Sequence, residues 1–135
     1  RILTGGHPIS LPSPYDKGWY IAPTVIEGLG AQCRTNQEEI FGPVVTIQPF
    51  SSDAEALELA NCTPYGLSAT VWTNNLQRTH YLSQHLQAGI VWINTWMLRD
   101  LRTPFGGVKQ SGVGREGGWD ALRFFTETKN ITFGM

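Results

Sequence analysis

The chain has 135 residues, 41% of them hydrophobic and 16% charged, enough apolar side chain for a packed core and too much for wholesale disorder. Its formal charge of −1 and pI near 6.3 argue against a nucleic-acid or anionic-membrane binder, which would show a basic face. No apolar run approaches the length of a membrane span, and the two cysteines, Cys33 and Cys62, make neither a disulfide framework nor a metal site.

Residues 4–18 hold Gly5, Gly6, Pro8, Pro12, Pro14 and Gly18 and read as irregular surface. WYIAPTVI, residues 19–26, reads as a strand interrupted by Pro23, hence an edge or a bulge. PVVTIQPF, residues 43–50, is short and β-branched and is expected to be a second strand. The clearest helix lies in SSDAEALELANCTPYG. There Ser52 and Glu55 make a capping box, Ala56, Leu59 and Ala60 follow at helical spacing, and Pro64 with Gly66 ends it. LSATVWT (67–73) is a strand, and residues 75–89 are a helix with Leu76, Tyr81, Leu82 and Leu86 apolar and Gly89 at its C-terminal end. IVWIN (90–94) is a buried strand followed by a glycine-rich loop, and a helix near 115–125 carries Leu122, Phe124 and Phe125. ETKNITF (127–133) alternates as a final, exposed strand. Strand, helix, strand, helix, strand is the α/β pattern of a parallel sheet with crossover helices. Sites in such sheets lie at the carboxyl ends of strands, which singles out the loop after IVWIN.

Three stretches carry chemistry. In EEIFGPV (38–44) an acidic pair precedes an aromatic and a Gly-Pro turn. Such a carboxylate can hydrogen-bond a sugar's hydroxyls at a pocket rim, and the plainer alternative is a solvated turn. TPFGGVKQSGVGREGG packs six glycines, from Gly106 to Gly118, into a backbone free to approach something closely. GVGREG satisfies a bare dinucleotide-loop pattern, but no acidic residue in a second strand follows it, so a structural loop is the competing reading. Arg99 and Arg102 stand among Trp96, Met97, Leu98, Leu101 and Phe105. An arginine fork there either binds a carboxylate bidentately or closes an internal salt bridge, with Asp100 the local candidate. His7, His80 and His85 form no triad arrangement.

Together EEIFGPVV, NCTPYGLSATVWT, LQAGIVWIN and PFGGVKQSGVGREGG give the chain its resemblance to the NAD(P)-dependent aldehyde dehydrogenase superfamily, over essentially its whole length. It looks like the C-terminal quarter of such an enzyme. The resemblance implies an α/β fold: the C-terminal part of the catalytic domain over residues 1–125, with a parallel sheet and crossover helices, and an oligomerisation strand over 126–135. That last strand would add to a neighbouring subunit's sheet, giving a homo-oligomer, which its alternating, exposed pattern suits. The family's ribose-binding glutamate matches Glu39, the aromatic beside the nicotinamide matches Phe41, and the aromatic walling the substrate funnel matches Phe105. NAD is the implied cofactor, and the implied chemistry is thiolate attack on the aldehyde, hydride transfer to NAD and hydrolysis of the thioester.

The family's nucleophilic cysteine sits in a Gly-Gln-x-Cys context and its general-base glutamate in Glu-Leu-Gly-Gly. Neither occurs here, so both are expected upstream of Arg1, with no catalytic residue in these 135 positions. Cys33, in AQC, echoes the first context but lacks the preceding glycine and stands just before Glu39. RDLRTPFGG resembles the branch acting on 2-aminomuconate and 2-hydroxymuconate semialdehydes, whose substrates carry a carboxylate opposite the aldehyde. By that resemblance Arg99 is the first choice, and Arg102 the second, to hold the carboxylate from a buried position. The expected function is therefore part of a cytosolic NAD-dependent dehydrogenase, with 2-aminomuconate semialdehyde of tryptophan degradation as the foremost substrate. Two alternatives stand beside it. A non-catalytic short chain that pairs with full-length subunits would co-purify with them, although RILTGG without an initiator Met favours truncation. A general or retinal aldehyde dehydrogenase would not depend on Arg99.

Overall fold

In the computed structural model, which describes residues 1–135, proline and glycine shape the first stretch of chain. Four short strands form there: β1 (Ile2–Thr4), β2 (Pro8–Ile9), β3 (Tyr20–Ile21) and β4 (Val25–Ile26). β1 pairs antiparallel with β4, and β2 with β3. The strand expected over 19–26 is thus split at Pro23, which has no N–H to give to a ladder, and each half pairs with a different partner. Thr24 makes the crossing: its hydroxyl donates to Ala22 O at 2.7 Å and accepts from Gly6 N–H at 2.8 Å. A single-turn helix, α1 (Arg34–Gln37), follows and belongs with these strands to a unit spanning Arg1–Thr46.

The expectation of a strand over 43–50 is overturned: no strand forms there. Val45 and Ile47 are 83% and 88% exposed. β-branched composition supplies a surface that fits a sheet, but a strand exists only where another backbone satisfies it, and none in this chain does.

The second unit, Ile47–Met135, is built on a strand–helix–strand turn of chain. β6 (Ser68–Val71) and β7 (Ile90–Ile93) pair in parallel, Ser68 opposite Ile90 and Val71 opposite Ile93, joined by α3 (Leu76–His85). This is the crossover the sequence pattern predicts, and it is the parallel pair of the structure; the other ladders are antiparallel and two-stranded. Ahead of it lies α2 (Asp53–Asn61), capped at Ser52, whose hydroxyl accepts Glu55 N–H at 3.2 Å. The reciprocal half of the capping box shifts by one residue, because Glu55 Oε2 accepts from Ser51 N–H rather than Ser52. β5 (Tyr65–Gly66) pairs with β8 (Val108–Lys109), and α4 (Gly118–Phe124) follows Gly117.

One further expectation is corrected. α3 ends at His85, not near Gly89, since Leu86 is already extended (ψ 126°). Residues 127–133 form no strand, and Ile131 and Phe133 are 65% and 86% exposed; an edge strand needs a ladder partner, and within one chain there is none. The buried hydrophobic residues are Val71, Leu82 and Trp92, one each from β6, α3 and β7. No helix is long and apolar enough to cross a membrane.

Candidate functional site

The loop that leaves β7 is positioned by two side chains. Asn94, at φ 52°, which asparagine tolerates, continues the parallel ladder with its amide: Oδ1 accepts Thr73 N–H and Nδ2 donates to Thr73 O, both at 2.8 Å. Trp92 is buried in the β6–α3–β7 core, and its indole N–H donates to Leu98 O at 2.9 Å, with Trp96 edge-on to its ring at 5.4 Å. Together these bind residues 95–98 to the end of the strand and bring Arg99 to a defined place. Arg99 is thus held beyond the carboxyl end of the strand, where α/β architecture leads one to expect a site.

Arg99 meets two groups. Its guanidinium carbon lies 4.1 Å from the centre of the Phe105 ring, and Nη2 is ion-paired with Glu116 Oε1. Phe105 and Glu116 are in turn joined by both backbone hydrogen bonds of an antiparallel bridge, 2.7 Å and 2.8 Å. Residues directly opposed in such a pair project to the same face, so the aromatic ring and the carboxylate arrive side by side and the arginine bridges them. Within this chain the Arg99 side chain is 35% exposed, and Trp96, Leu98 and Leu101 are 65%, 75% and 73% exposed, because no other segment of the chain covers the outer side of this loop.

Arg102 behaves as the plain alternative described. It grips Asp100 with both edges of its fork, Nε to Oδ1 at 2.9 Å and Nη2 to Oδ2 at 2.5 Å, and its side chain is 89% exposed. The Arg102 guanidinium holds the Asp100 carboxyl below its usual range. Asp100 therefore serves Arg102 rather than Arg99.

Two residues that the sequence did not single out complete the loop. Glu116 is one. Arg115 is the other: its Nη1 donates to Gly107 O at 2.8 Å and Gly114 O at 2.6 Å, clamping the glycine-rich turn from inside. The turn encloses a groove of about 370 Å³ lined by Phe105, Ser111, Arg115, Glu116, Phe124 and Phe125. The signal for Glu116 was present as the GREGG tail of the loop, but only the closing register shows that it faces Phe105.

In the first unit, α1 separates the acidic pair. Glu38 is taken by Arg34, with Nε to Oε1 and Nη2 to Oε2 both at 2.7 Å, an i,i+4 pair. This pairing lowers the Glu38 carboxyl and raises the Arg34 guanidinium. Glu39 is left exposed on the adjoining chain, and Phe41 is 97% exposed. Cys33 is the residue preceding α1 and its side chain caps nothing there. Cys62 Sγ donates to Leu59 O at 3.1 Å. No three His, Cys, Asp or Glu side chains gather as a metal site.

Comparison with known proteins bears on this geometry. The model of the aldehyde dehydrogenase family matches residues 1–131. A 2-hydroxymuconic semialdehyde dehydrogenase of Pseudomonas sp. (strain CF600) is 52% identical over 130 residues, 96% of this chain and 27% of the relative. A human 2-aminomuconic semialdehyde dehydrogenase is 48% identical over 124 residues, 92% of this chain and 26% of the relative. Among solved structures, the P. syringae indole-3-acetaldehyde dehydrogenase AldA, in complex with NAD+ and IAA, superposes with a TM-score of 0.80 at 43% identity, covering 96% of this chain and 26% of that one. The chain therefore spans about a quarter of the length of the relatives it matches.

Proposed function

The chain belongs to the aldehyde dehydrogenase family, and from that premise we propose that it is the substrate-end and cofactor-rim portion of an NAD-dependent semialdehyde dehydrogenase. The single observation that carries the substrate class is Arg99, set at the carboxyl end of β7 and stacked on Phe105. A guanidinium there recognises a carboxylate at the end of the substrate away from the aldehyde, by charge-assisted hydrogen bonds. Holding that end fixes the orientation of the other, which is how a remote contact assists the reacting carbonyl. The relatives' names agree with such a substrate: 2-hydroxymuconic and 2-aminomuconic semialdehydes. Of these, 2-aminomuconate semialdehyde, an intermediate of tryptophan degradation, is our first choice. Arg102, satisfied by Asp100, stands second to Arg99 as the carboxylate ligand.

The residues present also fit a dinucleotide. Glu39 is an exposed acceptor for ribose hydroxyls, and Phe41 presents an uncovered ring for the nicotinamide side. NAD, when bound, supplies the hydride acceptor. This chain's contribution is to hold the cofactor's sugar and wall the substrate channel with Phe105, while the nucleophile and base come from outside these 135 residues.

Turnover assays test the reading. The full-length protein carrying this segment is expected to reduce NAD when given 2-aminomuconate or 2-hydroxymuconate semialdehyde, and residues 1–135 alone are expected to show none. Turnover by the isolated segment, or indifference of the full-length protein to both semialdehydes, sinks it.

A further inference from the structure

The cation assigned to the substrate's carboxylate already holds a carboxylate of the chain. Arg99 Nη2 is paired with Glu116 Oε1, and the backbone bridge between Phe105 and Glu116 fixes that carboxylate beside the ring on which Arg99 stacks. An internal anion bound at one edge of a guanidinium fork does two things. It holds the fork in place when no substrate is present, and it lowers the attraction that an arriving anion feels.

We propose that Glu116 is a resident stand-in for the substrate's carboxylate, a specificity-determining residue that holds Arg99 over Phe105 in the empty site and competes with the substrate for it. The proposal rests on the reading of Arg99 as the carboxylate ligand and goes beyond it by assigning what Arg99 does without substrate. An Arg99 left without a partner would disfavour uncharged aldehydes, because its charge would go unpaired. With Glu116 as its partner, Arg99 is satisfied in either case. Glu116 therefore softens discrimination in both directions: it weakens carboxylate-bearing aldehydes and spares uncharged ones. The Arg99 side chain is 35% exposed and that of Glu116 59%, so the competition is that of a surface pair, and its effect on affinity is modest, about two- to fivefold.

The test is steady-state kinetics on the full-length protein with glutaric semialdehyde and pentanal, which differ in the terminal carboxylate. Four forms are compared: wild type, Glu116→Gln, Arg99→Ala and the double variant. Glu116→Gln is expected to lower KM for glutaric semialdehyde about two- to fivefold, with no fall in KM for pentanal. The effect should vanish in the Arg99→Ala background, and Glu116→Asp, which keeps the charge, should retain the wild-type KM. If Glu116→Gln leaves the KM for glutaric semialdehyde unchanged, or lowers kcat equally for both aldehydes, Glu116 is not a competitor and the proposal falls while the Arg99 reading stands. If Arg99→Ala does not alter the preference between the two aldehydes, the Arg99 reading itself falls, and the proposal with it.

Discussion

Asp100 and Glu116 divide the two arginines of the loop between them, and the division separates their roles. Arg102 takes both oxygens of Asp100 at the surface, while Arg99 takes one oxygen of Glu116 beside an aromatic ring. Because the Arg102 guanidinium lowers the Asp100 carboxyl, this pair contributes at every pH above the ordinary aspartate range, and its contribution is lost as pH falls through the lowered value. Carboxyl-carbon NMR should therefore find Asp100 still ionised where an unpaired aspartate is half protonated; an ordinary midpoint would show the pair to be open in solution. The sequence made the arginines visible as charges in an apolar stretch, and named Asp100 as a salt-bridge candidate. It could not name the partner of Arg99, since Glu116 reaches it only through the bridge to Phe105, and a non-local register is not written in local spacing.

Local signals did better where one residue decides an element. Ser52 begins α2 and Asn75 begins α3, each accepting the N–H three residues on at 3.2 Å and 3.0 Å, because a side-chain oxygen there satisfies a donor the helix cannot. Parallel pairing of β6 with β7 through α3 was likewise legible from alternating element types. Gly89 lies beyond the end of α3, and its constraint is a close approach of two backbones. A Cβ at Gly89 would stand 1.7 Å from Gly106 O, so no side chain fits without moving the turn that carries Phe105. Gly89→Ala is accordingly expected to cost more than about 1 kcal/mol and to lower the unfolding midpoint of the full-length protein; an unchanged midpoint would mean that the two turns do not meet in solution. Residues 43–50 and 127–133 have a composition that suits a sheet, yet neither finds a ladder partner within the chain.

Across the whole molecule the same shortage appears as exposed apolar surface. Val71, Leu82 and Trp92 form the buried core, while Trp19, Phe41, Phe125 and Phe133 are 102%, 97%, 78% and 86% exposed. Isolated exposed apolar residues are ordinary, but aromatic surface on this scale is what a segment shows when its covering partners lie elsewhere, in keeping with a chain that spans 27% of its first relative's length. On the proposed reading the function belongs to the full-length protein, and its central claim is that this segment supplies carboxylate recognition through Arg99. The most direct test is the ratio of kcat/KM for 2-hydroxymuconate semialdehyde to that for an uncharged aldehyde, in wild type and Arg99→Ala. The account predicts that the ratio falls by about tenfold or more, as loss of a hydrogen bond to a charged group implies, with turnover of the uncharged aldehyde largely retained. An unchanged ratio, or an equal loss for both aldehydes, would contradict it and leave a general aldehyde dehydrogenase as the better description.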